Sequence, residues 1–191
     1  GGTSVVAATP LNQISRADSP TGQNHPVGGI EQLLAQAEKL RLEGKYEAAI
    51  PLAQAAVEQS EQTLGPESQR LAESLDLLAS LAEAKGDRSR AEILYQRSLT
   101  IREKILGPTH PETGRTLNHL ARLAWEKFDY GKAETLFQRS LSITEQALGP
   151  DHPDVAVTLN NLAGLYKMRA KYSLAEDYYK QALAIWEKAV G

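Results

Sequence analysis

The chain contains no cysteine, and this absence excludes disulfides, thiolate metal sites and cysteine nucleophiles. It also lacks a basic excess, because 21 lysines and arginines stand against 24 acidic residues for a formal net charge of −3. A dedicated nucleic-acid binder usually carries a strong basic excess, so we expect no nucleic-acid partner. No stretch approaches the roughly 20 consecutive apolar residues of a membrane span, so we expect no membrane insertion.

Sequence motifs of catalysis are absent as well. The chain has no HExxH, CxxC or GxSxG motif and no glycine-rich phosphate loop. His110 and His152 stand at equivalent positions, each directly before a proline, and a recurring position usually serves the repeat itself. We therefore interpret both histidines as helix-start residues. We predict that the protein is not an enzyme, with no catalytic residues, no metal and no cofactor.

Residues 1–29 differ from the rest of the chain. They are rich in Gly, Pro, Ser, Thr and Asn and have no helical apolar stripe. Such a segment buries too little apolar surface to offset its ordering entropy, so we predict a flexible leader or linker. A tail that docks back onto its own domain is the alternative. The segment does not read as an intact signal peptide. A cytoplasmic location is slightly favoured, and export after signal cleavage stays open.

From Ile30 onward the chain repeats with a period of 42 residues. Leu-Gly-Pro triplets occur at 64–66, 106–108 and 148–150, and segments 106–147 and 148–189 match at 18 of 42 positions without a gap. A fixed period in this range indicates stacked supersecondary units. We predict one repeat array over residues 30–190, with units at about 30–63, 64–105, 106–147 and 148–190.

Each unit is predicted to be a pair of helices. In the last unit, apolar residues recur at i, i+3, i+4 and i+7 on a first helix, and at i, i+4 and i+7 on a second. These residues are Leu159, Leu162, Ala163 and Tyr166, followed by Ala175, Tyr179 and Ala182. Alanines are expected at the helix crossings, where they let two helix axes approach closely, and Tyr95, Phe137 and Tyr179 are expected to fill the space beside them. The Leu-Gly-Pro triplet predicts a helix end, because Gly can take the left-handed position after a helix and Pro cannot continue one.

This pattern resembles the tetratricopeptide repeat, whose units carry a large residue, Leu, a small residue and Tyr on the first helix, then Ala, an aromatic residue and Ala on the second. The 42-residue period and the Leu-Gly-Pro-x-His-Pro linkers at 106–111 and 148–153 are similar to the kinesin light chain-like subgroup. The resemblance implies an all-α fold, a right-handed α-solenoid of antiparallel helical hairpins with about four repeats. Gln36 replaces the expected Leu in the first unit, as a capping role would produce.

The resemblance also implies that the first helix of each unit lines the inner surface of a groove. We predict a peptide-binding groove formed by Arg115, Asn118, Arg122, Trp125, Asn160, Asn161 and Lys167. Asn118 and Asn160 are 42 residues apart, and in peptide-binding members asparagines at this position pair with the peptide backbone. An exposed asparagine or an inter-helix hydrogen bond is the alternative. Trp125 either anchors a ligand side chain or packs on the neighbouring helix.

The charge of this groove is predicted to be divided. Acidic side chains (Glu31, Glu38, Glu73, Asp76, Glu83) lie in the first two units, and basic ones (Arg115, Arg122, Lys167) in the last two. A row of one sign can orient a charged peptide, so acidic ligand residues are expected over the third and fourth units.

The predicted function is a scaffold or adaptor that binds an extended segment of a partner protein. Val190-Gly191 falls where a further Leu-Gly would start, which favours a fragment of a longer array. Trp186 is expected to cover a seam between units or to meet a further unit. The alternatives are a structural module that self-associates end to end and a non-catalytic domain of a larger signalling protein.

Overall fold

The computed structural model describes residues 27–190, which form eight α-helices arranged as four hairpins. The helices are α1 (Val27–Leu42), α2 (Tyr46–Leu64), α3 (Gln69–Ala84), α4 (Arg88–Ile105), α5 (Pro111–Glu126), α6 (Tyr130–Leu148), α7 (Pro153–Met168) and α8 (Tyr172–Val190). The all-α solenoid is confirmed. The predicted leader lies outside the described residues as far as residue 26, and its last three residues belong to α1. None of the described helices is long and apolar enough to cross a membrane.

The recurring histidines begin helices, as the sequence predicted. The Nδ1 atom of His110 accepts a hydrogen bond from the backbone N–H of Glu112 at 3.2 Å, and Nδ1 of His152 accepts one from Asp154 at 3.1 Å. Each imidazole thus satisfies one of the N–H groups that the first helical turn leaves without a partner. The following prolines take the first helical position, where a missing N–H costs nothing.

The turn inside each hairpin uses a left-handed residue. Positions 44, 86, 128 and 170 have φ of +72°, +82°, +65° and +57°. Gly occupies the first two positions, and Phe128 and Ala170 occupy the others. A left-handed residue at this point ends the first helix and redirects the chain into the second.

The alanines predicted at the helix crossings are buried, and they let the helix axes approach closely. Tyr95 and Phe137 fill the space beside them and are fully buried. The next unit covers both rings, because each core cluster combines residues of two successive hairpins. The equivalent Tyr179 on α8 is 38% exposed, so the prediction that it fills a buried space is wrong within the described chain.

Two neighbouring seams differ in their polar chemistry. Between the second and third hairpins, the buried guanidinium of Arg102 forms an ion pair with Asp76 and donates to Thr116 Oγ1 at 2.5 Å. Burial raises the pKa of the Asp76 carboxyl, and the charge of Arg102 opposes that rise. Between the third and fourth hairpins, the positions equivalent to Arg102, Asp76 and Thr116 hold Thr144, Asn118 and Thr158. These neutral side chains form hydrogen bonds in place of the ion pair.

Candidate functional site

The first helices of the hairpins present a common surface, which we call the inner face. A cavity of about 520 Å³ lies along α1 and α3, and one of about 270 Å³ lies along α5 and α7. His119 lines both cavities. The two cavities therefore adjoin at His119, and together they extend over the inner face from α1 to α7.

The smaller cavity, which we call the α5–α7 cavity, contains four of the seven predicted groove residues: Arg115, Asn118, Arg122 and Asn161. Its wall also includes polar side chains that the sequence did not single out for binding. The complete lining is Arg115, Asn118, His119, Arg122, Ser140, Thr144, Asp154, Val157, Thr158 and Asn161. Asn160, Lys167 and Trp125 lie on α5 and α7 outside it.

A chain of hydrogen bonds fixes the two cavity asparagines. The Thr158 hydroxyl donates to the backbone carbonyl of Asp154 at 3.1 Å, so its oxygen accepts from Asn118 Nδ2 at 2.8 Å. The Asn118 Oδ1 atom then accepts from Asn161 Nδ2 at 2.9 Å. Asn118 therefore forms the inter-helix bond that sequence reasoning left open, and its second amide N–H has no partner among the described residues.

The arginines of the cavity are already paired. Arg115 donates to Asp154 at 2.6 Å and to Glu112 at 2.5 Å, and Arg122 donates to Glu83 at 2.5 Å. The Glu83–Arg122 pair joins an acidic residue of the second unit to a basic residue of the third. The predicted division of charge is therefore largely cancelled by ion pairs between units, since each guanidinium has a carboxylate beside it.

His119 is held by stacking. Its ring lies parallel to the Tyr95 ring, with 4.8 Å between the centroids and 6° between the planes. Burial, together with the nearby charges of Arg122 and Arg102, lowers the pKa of His119 to about 4. The imidazole is therefore neutral at pH 7, with one nitrogen that donates and one that accepts.

Trp125 packs on the neighbouring helix. A Cβ placed at Gly164 of α7 would lie 2.7 Å from Cη2 of the indole, so the ring rests on the glycine. The indole is partly buried against the core of the third and fourth units. This contact is the packing alternative that the sequence left open for Trp125, and it leaves part of the ring exposed on the inner face.

Sequence reasoning did not select His119 and Thr158 as site residues. The available signal for His119 was that it departs from the repeat pattern, since Leu77 and Asn161 occupy the equivalent positions. The role of Thr158 had no comparable signal, because its equivalents Ser74 and Thr116 look like ordinary seam residues. Among the described residues, no group of three or more His, Asp or Glu side chains could hold a metal ion.

These features define a solenoid of stacked helical hairpins, a class in which extended inner surfaces serve as binding surfaces. The family model of the tetratricopeptide repeat matches residues 30–104, 90–146 and 121–188. The chain belongs to the tetratricopeptide repeat family, whose repeats generally mediate protein–protein interaction. No curated protein is significantly similar to the chain.

Solved structures show the same fold at low sequence identity. BtubC (BKLC) from P. vanneervenii is 22% identical over 85% of this chain, with a TM-score of 0.75. The apo form of RapI is 15% identical over 88% of this chain, also with a TM-score of 0.75. This chain spans 65% of BtubC and 59% of RapI. The Podosopora anserina kinesin light chain nearly identical TPR-like repeats are 19% identical, with a TM-score of 0.57, over 87% of this chain and 99% of that one.

Proposed function

We propose that the protein is a scaffold module that binds an extended segment of a partner protein along its inner face. One observation carries this proposal: the α5–α7 cavity contains four residues that the sequence pattern selected for binding. Its side chains offer hydrogen-bond donors and acceptors on a rigid helical frame. Such pre-organised polar groups reduce the entropy cost of binding.

The inner face also provides apolar contacts beside these polar groups. Val157 is 46% exposed at the edge of the cavity, and the larger cavity includes Leu34 and Leu77. A recessed surface with apolar walls and a few convergent polar groups is typical of ligand sites. Asn160, Lys167 and the exposed part of Trp125 extend the proposed groove along α5 and α7.

The test compares two exposed aliphatic side chains on opposite sides of the array. Val157→Arg places a long charged side chain at the α5–α7 cavity, and Ile93→Arg does the same on α4, where Ile93 is 70% exposed away from this cavity. Twelve-residue peptides would be selected from a random display library against the wild-type chain. We expect Val157→Arg to weaken their binding at least tenfold, measured by fluorescence anisotropy, and Ile93→Arg to leave it unchanged. Selected peptides that bind both variants equally, or a library without binders, would refute the proposal.

Self-association is the second candidate function, and the exposed face of α8 favours it. Tyr179 and Trp186 are 38% and 36% exposed, whereas the residues at their positions in the second and third units are at most 3% exposed. Leu183 beside them is 54% exposed. An apolar patch of this kind often marks a protein–protein interface.

The opposite end of the array is polar. Gln36 and Gln59 stand where later units have Leu120 and Ile101, which pack against the preceding hairpin. Gln59 is already buried, and its Nε2 atom has no hydrogen-bond partner among the described residues. Head-to-tail stacking would also bury the exposed amide of Gln36 against aromatic rings, at a cost of about 1–3 kcal/mol when the amide stays unsatisfied. We therefore propose that a second copy covers the α8 face, in a closed two-fold dimer rather than a filament.

Sedimentation of the 191-residue chain over a range of concentrations tests the dimer. The dimer is expected to dissociate in the Leu183→Glu variant and to persist in the Leu42→Glu variant, since Leu42 is 72% exposed at the far end of α1. A wild-type chain that stays monomeric at high concentration, or sediments as an open series of oligomers, would rule out the dimer.

A further inference from the structure

The hydrogen bonds in the α5–α7 cavity all donate in one direction along the series, from Asn161 to Asn118 to Thr158. The acceptor atom at the start of the series is left without a protein partner among the described residues. Thr158 must donate to a backbone carbonyl and accept from Asn118, which forces the Asn118 oxygen to accept from the Asn161 amide. The Oδ1 atom of Asn161 then has no protein partner among the described residues. The geometry of the bonds fixes this orientation of both amides.

A donor in the same cavity is also unfilled. The Nε atom of Arg122 is buried and has no hydrogen-bond acceptor among the described residues, and another nitrogen of this guanidinium donates to Glu83. The side chain as a whole is 41% exposed, so its outer N–H groups, rather than the covered Nε, are open to a ligand oxygen. A ligand group that complements the cavity therefore has an acceptor atom for the N–H groups of Arg122 and an N–H donor for Oδ1 of Asn161.

The balance of charge argues against a charged ligand group. The two arginines of the cavity face three carboxylates, of Glu83, Glu112 and Asp154. A ligand carboxylate would bring a further negative charge without an unpaired cation to receive it. A neutral group avoids the cost of burying an unpaired charge.

We propose that the α5–α7 cavity is a subsite for a side-chain carboxamide, that of Gln or Asn, in the segment bound on the inner face. The carboxamide N–H donates to Asn161 Oδ1, and its carbonyl oxygen accepts from the donors of Arg122 and from the second amide N–H of Asn118. The neutral His119 ring, fixed by its stack on Tyr95, forms a wall of the subsite. A volume of about 270 Å³ suits one side chain.

This inference rests on the proposed function for its biological meaning, but it is tested without a peptide. The probes are N-acetylglutamine methylamide and N-acetylglutamate methylamide, which differ only in the carboxamide and the carboxylate. Each is titrated into the 15N-labelled chain at pH 7, and the side-chain amide signals of Asn118 and Asn161 are followed by NMR. A site built to receive an N–H rejects the analogue that lacks it, so we expect the glutamine probe to bind at least tenfold more tightly.

A carboxamide on the other side of the array provides the matched control. Asn161→Leu removes the proposed acceptor, and Gln96→Leu makes the same carboxamide-to-aliphatic change at an exposed position on α4, away from the cavity. The glutamine preference is expected to fall below twofold in Asn161→Leu and to persist in Gln96→Leu. Equal or tighter binding of the glutamate probe by the wild-type chain, which needs no variant, would overturn the proposal. So would a preference that survives Asn161→Leu, or no saturable shift with either probe.

The two proposals fail separately. Display peptides that bind the inner face without a preference for Gln or Asn would overturn the subsite and leave the scaffold function standing. A glutamine probe that saturates the cavity, combined with a library that yields no binders, would overturn the extended groove and leave the subsite.

Discussion

The stacked His119 ring makes stability depend on pH in a way that can be measured. Its pKa is lowered from the ordinary 6.5 to about 4 by burial and by neighbouring guanidinium groups. Above pH 6.5 the imidazole is neutral in both the folded and the unfolded chain. Between pH 6.5 and 4 the unfolded chain binds a proton that the folded chain does not, so the free energy of unfolding falls as the pH falls.

The size of this loss follows from the two pKa values. One pKa unit corresponds to about 1.4 kcal/mol, so the full difference in pKa is worth up to about 3.5 kcal/mol. At pH 4.5 most of it is already lost, about 2.5 kcal/mol relative to pH 7. Carboxylates also titrate in this range, and a variant that removes only the imidazole is needed to separate the two contributions.

His119→Phe provides that variant, because phenylalanine keeps an aromatic ring against Tyr95 and does not titrate. Urea unfolding, followed by circular dichroism at pH 7 and pH 4.5, gives the loss of unfolding free energy for each protein. We expect the loss to be about 2.5 kcal/mol smaller in His119→Phe than in the wild-type chain. Equal losses would show that the folded protein does not hold the imidazole neutral, and the argument from its burial would be refuted.

Two further predictions concern packing at the seams. Gly164→Ala would place a methyl group against Trp125, and overpacking of this kind costs about 1–3 kcal/mol, more than the roughly 1 kcal/mol that alanine adds to helix stability. Gly131→Ala should stabilise the protein instead, because the added Cβ would meet only Asp129 Oδ1, at an ordinary contact distance of 4.0 Å. Denaturant midpoints of the two variants that move in the same direction would contradict this. Arg102→Thr leaves Asp76 buried without its cation and should cost about 3–5 kcal/mol of unfolding free energy. Adding Asp76→Asn should restore most of the loss, because threonine and asparagine are the residues at these two positions in the next unit, Thr144 and Asn118. A double variant as unstable as the single one in urea unfolding would disprove the equivalence of the two seams.

Much of the fold could be predicted because each sequence feature of the repeat recurs in several units. The period located the hairpins, and the histidine-proline linkers marked helix starts at two equivalent places. The small residues at the crossings indicated where helices approach. These are local signals, since a cap or a helix end depends on residues within one or two turns of it.

The polar contacts of the site could not be predicted in the same way. Whether Asn118 faces a ligand or Thr158 depends on the relative rotation of α5 and α7, which no periodic pattern in a single helix encodes. The burial of Arg102 is similar, because Thr144 and Trp186 at its equivalent positions share no chemistry with it. The pairing of Arg122 with Glu83 likewise joins residues 39 positions apart, and it cancelled the charge pattern that the sequence suggested.

The unlike ends of the array determine how it could be lengthened. A designed fifth hairpin fused after residue 190 would cover Tyr179 and Trp186 with a leucine-rich helix and would gain apolar burial at once. The same hairpin fused before Val27 would meet Gln36 and Gln59, and both would first have to be exchanged for the leucine and isoleucine of the later units. Growth by simple fusion is therefore directional, from the α8 end alone.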